Sequence, residues 1–295
     1  MGGDSGGGET PPGTDPTPGS GSNDESDPSD GLDSNDELAS EKWLELPGIF
    51  QTDNRYPYAT EVKVSVGGER NYTHYYDTDT YTSLWVAYPL EAKHMGSLSR
   101  PNDWSYNPQV GTEYQVNLCN STYSDYPPYA RGHLIPNASR NGIKEMQLQT
   151  FYVTNSVPQI QDSFNSGIWS SLEGALQDKA KSKKLYIVTG VAFEKVGETK
   201  TISYTTAKDE PTKKVPIPNY FYKVVLSATT DSSGNVTAAQ TVGFWFENKA
   251  YSSGSTYANY AVSVDQIEEW TGFDFFPNLP DNVEVSAESS TVNFL

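Results

Sequence analysis

NYFYKVVLSATTDSSGNVTAAQTVGFWFEN, residues 219 to 248, decides the architecture. Two runs rich in β-branched and aromatic residues, 219 to 229 and 238 to 248, flank Asp231-Ser232-Ser233-Gly234-Asn235, a cluster of turn formers. Such a pattern is a β-hairpin, so its strands run antiparallel. Working outward, EVKVSV (61 to 66), SLWVAYPL (83 to 90), EYQVNL (113 to 118), MQLQTFYVTN (146 to 155) and KLYIVTGVAF (184 to 193) share this texture and are predicted strands. A first helix is predicted from about Ser163 to Lys181, where Phe164, Ile168, Leu172 and Ala175 fall at helical spacing and Asp162 or Ser163 can cap the start. A second is predicted over Ser263 to Thr271, closed by Gly272. Strands outnumber helices, which predicts an α+β domain: a central antiparallel β-sheet with flanking helices.

The chain has 295 residues, 35% of them hydrophobic, enough to bury a substantial core. Its 38 acidic and 20 basic residues give a net charge of -18. Residues 1 to 40 carry ten Asp or Glu and no Lys or Arg, and are otherwise mostly Gly, Ser, Pro and Thr. Ordering such a segment would cost entropy that no core repays, so residues 1 to 40 read as a disordered acidic tether and 41 to 295 as the folded domain. The expected setting is secretion or the bacterial cell envelope, the tether leading to a lipid anchor on the membrane. No run approaches the eighteen or so apolar residues of a membrane helix, and no charged-then-apolar leader opens the sequence.

An acidic balance excludes the broad basic surface by which a protein holds nucleic acid statically. It leaves room for an enzyme that meets a phosphodiester at one small, locally positive site. The single Cys119 and three histidines exclude a Cys/His zinc site of the usual spacing. Polar chemistry concentrates in YARGHLIPNASR (129 to 140) and TFYVTNSVPQIQDSFNSGIWSSLEGAL (150 to 176). There Gly132 permits a close backbone approach beside His133, while Arg131 offers a planar fork for phosphate. Phosphoryl transfer needs a base for water, cations facing the non-bridging oxygens and a metal near the leaving oxygen. On one straight helix, Asn165 and Glu173 would stand about 12 Å apart along the axis and roughly 80° apart around it. A hydrated Mg²⁺ spans that gap, with Asn165 as ligand and Glu173 holding a metal-bound water. His74 and His94 lack such company and read as structural.

Ala130-Arg131-Gly132-His133, Thr154-Asn155-Ser156-Val157-Pro158-Gln159 and Asn165-Ser166-Gly167-Ile168-Trp169-Ser170-Ser171-Leu172-Glu173 follow in order. Together they resemble the D-R-G-H, T-N-x-x-P-Q and N-x-G-x-W-x-x-L-E motifs of the DNA/RNA non-specific endonucleases, in the ββα-metal (His-Me finger) superfamily. The resemblance covers roughly residues 48 to 285. It implies a Mg²⁺-dependent enzyme, with Mn²⁺ able to substitute, that hydrolyses DNA and RNA to 5′-phosphate ends. It further implies His133 as general base, Asn165 as metal ligand, Glu173 as holder of a metal-bound water, Arg131 on the phosphate, and Asn155 orienting His133 or the substrate.

Two positions depart from the pattern. Ala130 stands where the family has Asp, and Gln177 stands where many relatives carry Arg. Phosphate clamping is therefore expected from Arg140, Lys144 or one of Lys179, Lys181, Lys183 and Lys184, with Gln177 at the substrate. The ordinary histidine value of about 6.5 predicts a pH profile rising near that point. The competing reading, a degenerate domain of the same fold that binds nucleic acid or a partner without cutting, differs in one observable, cleavage of plasmid.

Overall fold

Antiparallel pairing runs through the whole main sheet, as the 219 to 248 hairpin predicts. The computed structural model describes residues 43–48, 55–118, 129–207, 210 and 212–295. The expected tether and Cys119 lie outside them, and Leu38–Leu295 forms a compact unit of its own. The strands are β1 (Ala59–Val66), β2 (Glu69–Asp77), β3 (Thr82–Leu90), β4 (Tyr129–His133), β5 (Ser156–Ile160), β6 (Leu185–Ala192), β7 (Tyr204–Thr206), β8 (Lys214–Pro216), β9 (Tyr220–Thr230), β10 (Val236–Glu247) and β11 (Ala261–Val262). The α-helices are α1 (Lys144–Gln149), α2 (Ser170–Ala180), α3 (Val264–Thr271) and α4 (Asp281–Glu288). Seven strands form the main sheet in the order β1-β2-β3-β6-β9-β10-β11, while β4 pairs with β5 and β7 with β8 in two small ribbons.

Alternation along β9 and β10 gives the main sheet two apolar faces. Phe221 and Val225, with Val242, Phe244 and Phe246, enter one core, which Phe164, Ile168, Trp169 and Leu172 cover. Tyr222, Val224 and Leu226 enter the other, beneath Val264, Ile267, Phe275 and Leu279. Phe164, Trp169 and Phe221 meet edge-on with centroids 5.4 to 5.7 Å apart, and losing one such ring costs roughly 3–5 kcal/mol. The hairpin turn closes as its composition predicts. Asp231 Oδ1 accepts from the N–H groups of Ser233 and Asn235 at 2.8 and 2.9 Å, and Gly234 adopts φ +83°.

Four readings change. MQLQTFYVTN is not a strand: it holds α1 and then the turn Val153–Asn155. Its Met-Gln-Leu-Gln alternation does not hold, because Met146 and Gln147 are both buried, Gln147 donating to Asn137 Oδ1 at 2.9 Å, while Leu148 faces solvent. EYQVNL makes only an isolated bridge, Leu118 with Ala207, and packs Val116 and Leu118 into a small separate core. The helix expected from Ser163 begins instead at Ser170, after an irregular turn, Gln161–Trp169, with non-helical backbone at Asp162, Ser163 and Gly167. Strand β2 and helix α4 carried too little periodic apolar signal to be read. The second expected helix matches α3, with the Ser263 hydroxyl accepting from Gln266 N–H and Gly272 in the left-handed region.

Candidate active site

Strand β4 and strand β5 carry the first two motifs and place them side by side. Their register sets Ala130 opposite Gln159, Gly132 opposite Val157 and His133 opposite Ser156. Gly132 is required by this crossing, since any Cβ there would collide with the Gln159 side chain. Asn155, fully buried, binds the chain just beyond the base. Its Oδ1 accepts from Ile135 N–H at 3.0 Å, and its Nδ2 donates to the carbonyls of Ile135 and Thr150 at 2.9 and 2.8 Å. It thus holds the backbone that follows His133, and its bonds go to that backbone and not to the imidazole.

His133 sits in an aromatic cage, its ring centroid 4.8 Å from Trp104 and 5.0 Å from Phe151. Guanidinium groups cap both aromatics, Arg131 lying 4.6 Å from the Trp104 centroid and Arg100 5.0 Å from that of Phe151. Burial first, then the charge of Arg100, pull the imidazole down to about 3; the Arg131 backbone opposes them, and the Arg131 charge adds a smaller downward pull. His133 is therefore neutral at physiological pH. Its Nε2 has no hydrogen-bond partner among the described residues, as suits a proton acceptor awaiting its donor. Arg131 donates to Asn117 Oδ1 at 2.9 Å, so Asn117 and Trp104 orient it where the family's Asp is replaced by Ala130.

The irregular turn after β5 resolves the spacing of Asn165 and Glu173. With the backbone broken at Gly167, the two residues no longer share one straight helix, and both reach a single cleft of about 590 Å³ that His133, Arg131, Arg100, Trp104 and Ala130 also line. Asn165 Nδ2 donates to Gln161 Oε1 at 2.7 Å, which fixes the amide and leaves Oδ1 as the atom that could meet a metal ion. Glu173 lies 3.9 Å from Lys223 Nζ, and the ammonium also donates to Thr189 Oγ1 at 2.7 Å and stands 4.4 Å from the Trp169 ring centroid. Burial raises the Glu173 carboxyl against the pull of Lys223, Trp169 and Arg100, and burial lowers the Lys223 ammonium against the pull of Glu173. One amide oxygen and one carboxylate are hard donors, too few for a closed cage, and they suit a divalent ion that keeps most of its water.

The profile of the DNA/RNA non-specific endonuclease family matches residues 53–282, most of the chain. The chain belongs to this family. Among similar members are a nuclease of Nostoc sp., 30% identical over 74% of this chain and 75% of its own length, and the nuclease of Serratia marcescens, 27% identical over 74% and 77%. The mitochondrial nuclease EXOG of Mus musculus is 28% identical over 71% of this chain, which spans 57% of the mouse protein. In fold, the chain resembles one from the solved EndoG/EndoGI complex, with a TM-score of 0.63 and 18% identity over 82% of this chain and 92% of that one.

Within this family member, four of the expected site residues (Arg131, His133, Asn165 and Glu173) share the cleft, and the expected clamps do not. Arg140 is fully buried and spent on the fold. Its guanidinium donates to Asn71 Oδ1 at 2.6 Å and to the carbonyls of Ser139, Asn71 and Pro89, each at 2.8 Å, so it is not a phosphate clamp. Lys144 is exposed at the start of α1, away from the cleft lining. Gln177 donates to Ser139 Oγ at 3.3 Å and does not line the cleft either. Lys179 donates to the Phe294 carbonyl and Lys181 pairs with Asp178, and none of the lysines from 179 to 184 lines the cleft. A cation of the cleft lining that the sequence reading missed is Arg100, from a loop far upstream whose sequence has no periodic signal. Trp104 and Lys223 were likewise missed. His74 and His94 are structural as expected, His74 Nδ1 lying 2.8 Å from Ser83 Oγ and His94 within a capping turn.

Proposed function

We propose that this protein is a Mg²⁺-dependent, sugar-nonspecific endonuclease, active also with Mn²⁺, that hydrolyses DNA and RNA to 5′-phosphate ends. The observation that carries this reading is the convergence of Arg131 and His133 with Asn165 and Glu173, from two separate segments of the chain, on one cleft. The strand, strand and helix that present them support a ββα-metal site. Arg131 and Arg100 face the phosphate and spread its charge through charge-assisted hydrogen bonds. His133, neutral and buried against Trp104, takes the proton of a water attacking phosphorus. The bond to the 3′ oxygen breaks, leaving a 3′ hydroxyl on one fragment and the phosphate on the 5′ end of the next. A bound Mg²⁺ would supply Lewis-acid stabilisation of the phosphate charge. Asn165 Oδ1 would hold that ion and Glu173 would stand beside it as a carboxylate partner for its water, while the Lys223 charge offsets the burial that raises the Glu173 carboxyl. Residues 1 to 40 serve as a tether for a secreted or envelope-attached enzyme.

The test is digestion of plasmid and of RNA by the full chain with Mg²⁺, with Mn²⁺ and with EDTA, followed by labelling of the ends. Cleavage that stops with EDTA is expected. Asn165→Ala should lose activity or need far more metal while melting near the wild-type temperature. Unchanged metal dependence in that variant removes Asn165 from the site, and intact plasmid under every metal overturns the enzymatic reading.

A further inference from the structure

On the face of the sheet opposite the cleft, α3 presents Asp265 and Glu268, and the last residue of α4, Glu288, comes up to meet them. One carboxylate oxygen from each residue lies within 4.8 Å of the others. Glu288 is 5% exposed, and its Oε1 is buried with no hydrogen-bond partner among the described residues. An orphaned buried carboxylate is costly, and this one lies at a helix C-terminus, where the dipole disfavours an anion. Glu284, Asp274, Asp265 and Glu268 are the strongest charges acting on it, and none of them is a cation. Two anchors hold the arrangement: Phe275 N–H donates to Glu268 Oε1 at 2.6 Å, and Thr241 Oγ1 donates to the Ala287 carbonyl at 2.7 Å, docking α4 on β10.

We propose that Asp265, Glu268 and Glu288 hold a hard divalent cation of the Ca²⁺ class, which ties α4 to α3 independently of the catalytic cleft. The donor set favours Ca²⁺ over Mg²⁺, because Ca²⁺ takes many protein oxygens in flexible geometry, whereas Mg²⁺ keeps several waters and takes one or two carboxylates. Asp265 is exposed and gives the ion its entry path, while Glu288 forms the floor.

The experiment uses the full chain, stripped with EDTA and titrated with CaCl₂ by calorimetry, alongside thermal melts. Asn165→Ala, which removes the metal ligand of the cleft, separates the two sites and should keep one Ca²⁺ site. At about 100-fold excess over the dissociation constant, Ca²⁺ should raise the melting temperature by about 5 °C. Glu288→Gln should abolish that rise and, in EDTA, melt no lower than the wild type. Asp265→Asn, at an exposed position that cannot disturb packing, should weaken Ca²⁺ binding about tenfold, and it decides the matter if Glu288→Gln does not fold. The proposal is overturned if Asn165→Ala takes up no Ca²⁺, or if Asp265→Asn binds it as tightly as the wild type.

Discussion

Ionisable groups are buried on both faces of the main sheet, and the two faces treat them in opposite ways. At the cleft, Glu173 has Lys223 at 3.9 Å, and His133 is neutral between two aromatics capped by Arg100 and Arg131. On the other face, Glu288 is surrounded by carboxylates alone. A net charge of -18 says nothing of this division. That local balance is what supports the two proposals: guanidinium groups at the cleft suit a phosphate, and a cluster of carboxylates suits a metal ion. The largest effect expected from that contrast is catalytic. His133→Ala should lower kcat by about 10² to 10⁴ while substrate binding persists, because Arg100 and Arg131 remain. Wild-type cleavage of plasmid by this variant would break the assignment of the cleft.

The next largest effect concerns stability. Lys223→Met leaves Glu173 buried without its counter-charge, and breaking a buried pair costs roughly 3–5 kcal/mol. The side chain of Glu173 is 17% exposed, so solvent offsets part of that and the lower end is expected. Urea unfolding measures it, and adding Glu173→Gln to Lys223→Met should recover much of the loss. Glu288→Gln, which removes a buried carboxylate with no partner to strand, should lose nothing in the absence of metal. Equal losses in Lys223→Met and Glu288→Gln would erase the distinction between the two faces.

How much of this is legible in the sequence depends on how far apart the contributing residues lie. Strands β3, β6, β9 and β10 were readable because their β-branched and aromatic runs are local signals. Strand β2 was not: its buried positions include Asn71, Thr73, His74 and Asp77, and Asn71 is made tolerable inside by partners distant in sequence, the Arg140 fork on its Oδ1 and the Met146 carbonyl and Gln149 on its Nδ2. That same fork is why Arg140, beside the R-G-H motif, was mistaken for a phosphate ligand. His133, Asn165 and Glu173 were readable from motif order. Arg100, Trp104 and Lys223 were not, because each gains its role only when the sheet and loops bring it beside a motif residue. The acidic cluster was hidden for the same reason, its members coming from two helices of which only α3 was readable.

The most gradual effect is in pH dependence, and it reverses an expectation. Ordinary histidine chemistry places the acid limb of the rate near 6.5, but burial and two guanidiniums hold His133 at about 3. The neutral base therefore persists through mildly acidic pH, and the acid limb that His133 sets should fall well below 6.5. Stability moves the other way. Unfolding exposes the imidazole and restores its ordinary value, so below about 6.5 the unfolded chain binds a proton that the folded chain refuses until about 3. Between those values the folded state loses about 1.4 kcal/mol per pH unit on account of His133 alone. His74, pulled by burial to about 3, adds a similar slope with no part in catalysis. Melting curves from pH 7 to pH 4 should thus fall less steeply for His133→Ala than for the wild type, by one proton's worth and not two. Parallel curves for the two proteins would mean that His133 titrates normally in the folded state. The cage of Trp104, Phe151 and two arginines would then have no electrostatic consequence, and the acid limb of cleavage would return to about 6.5.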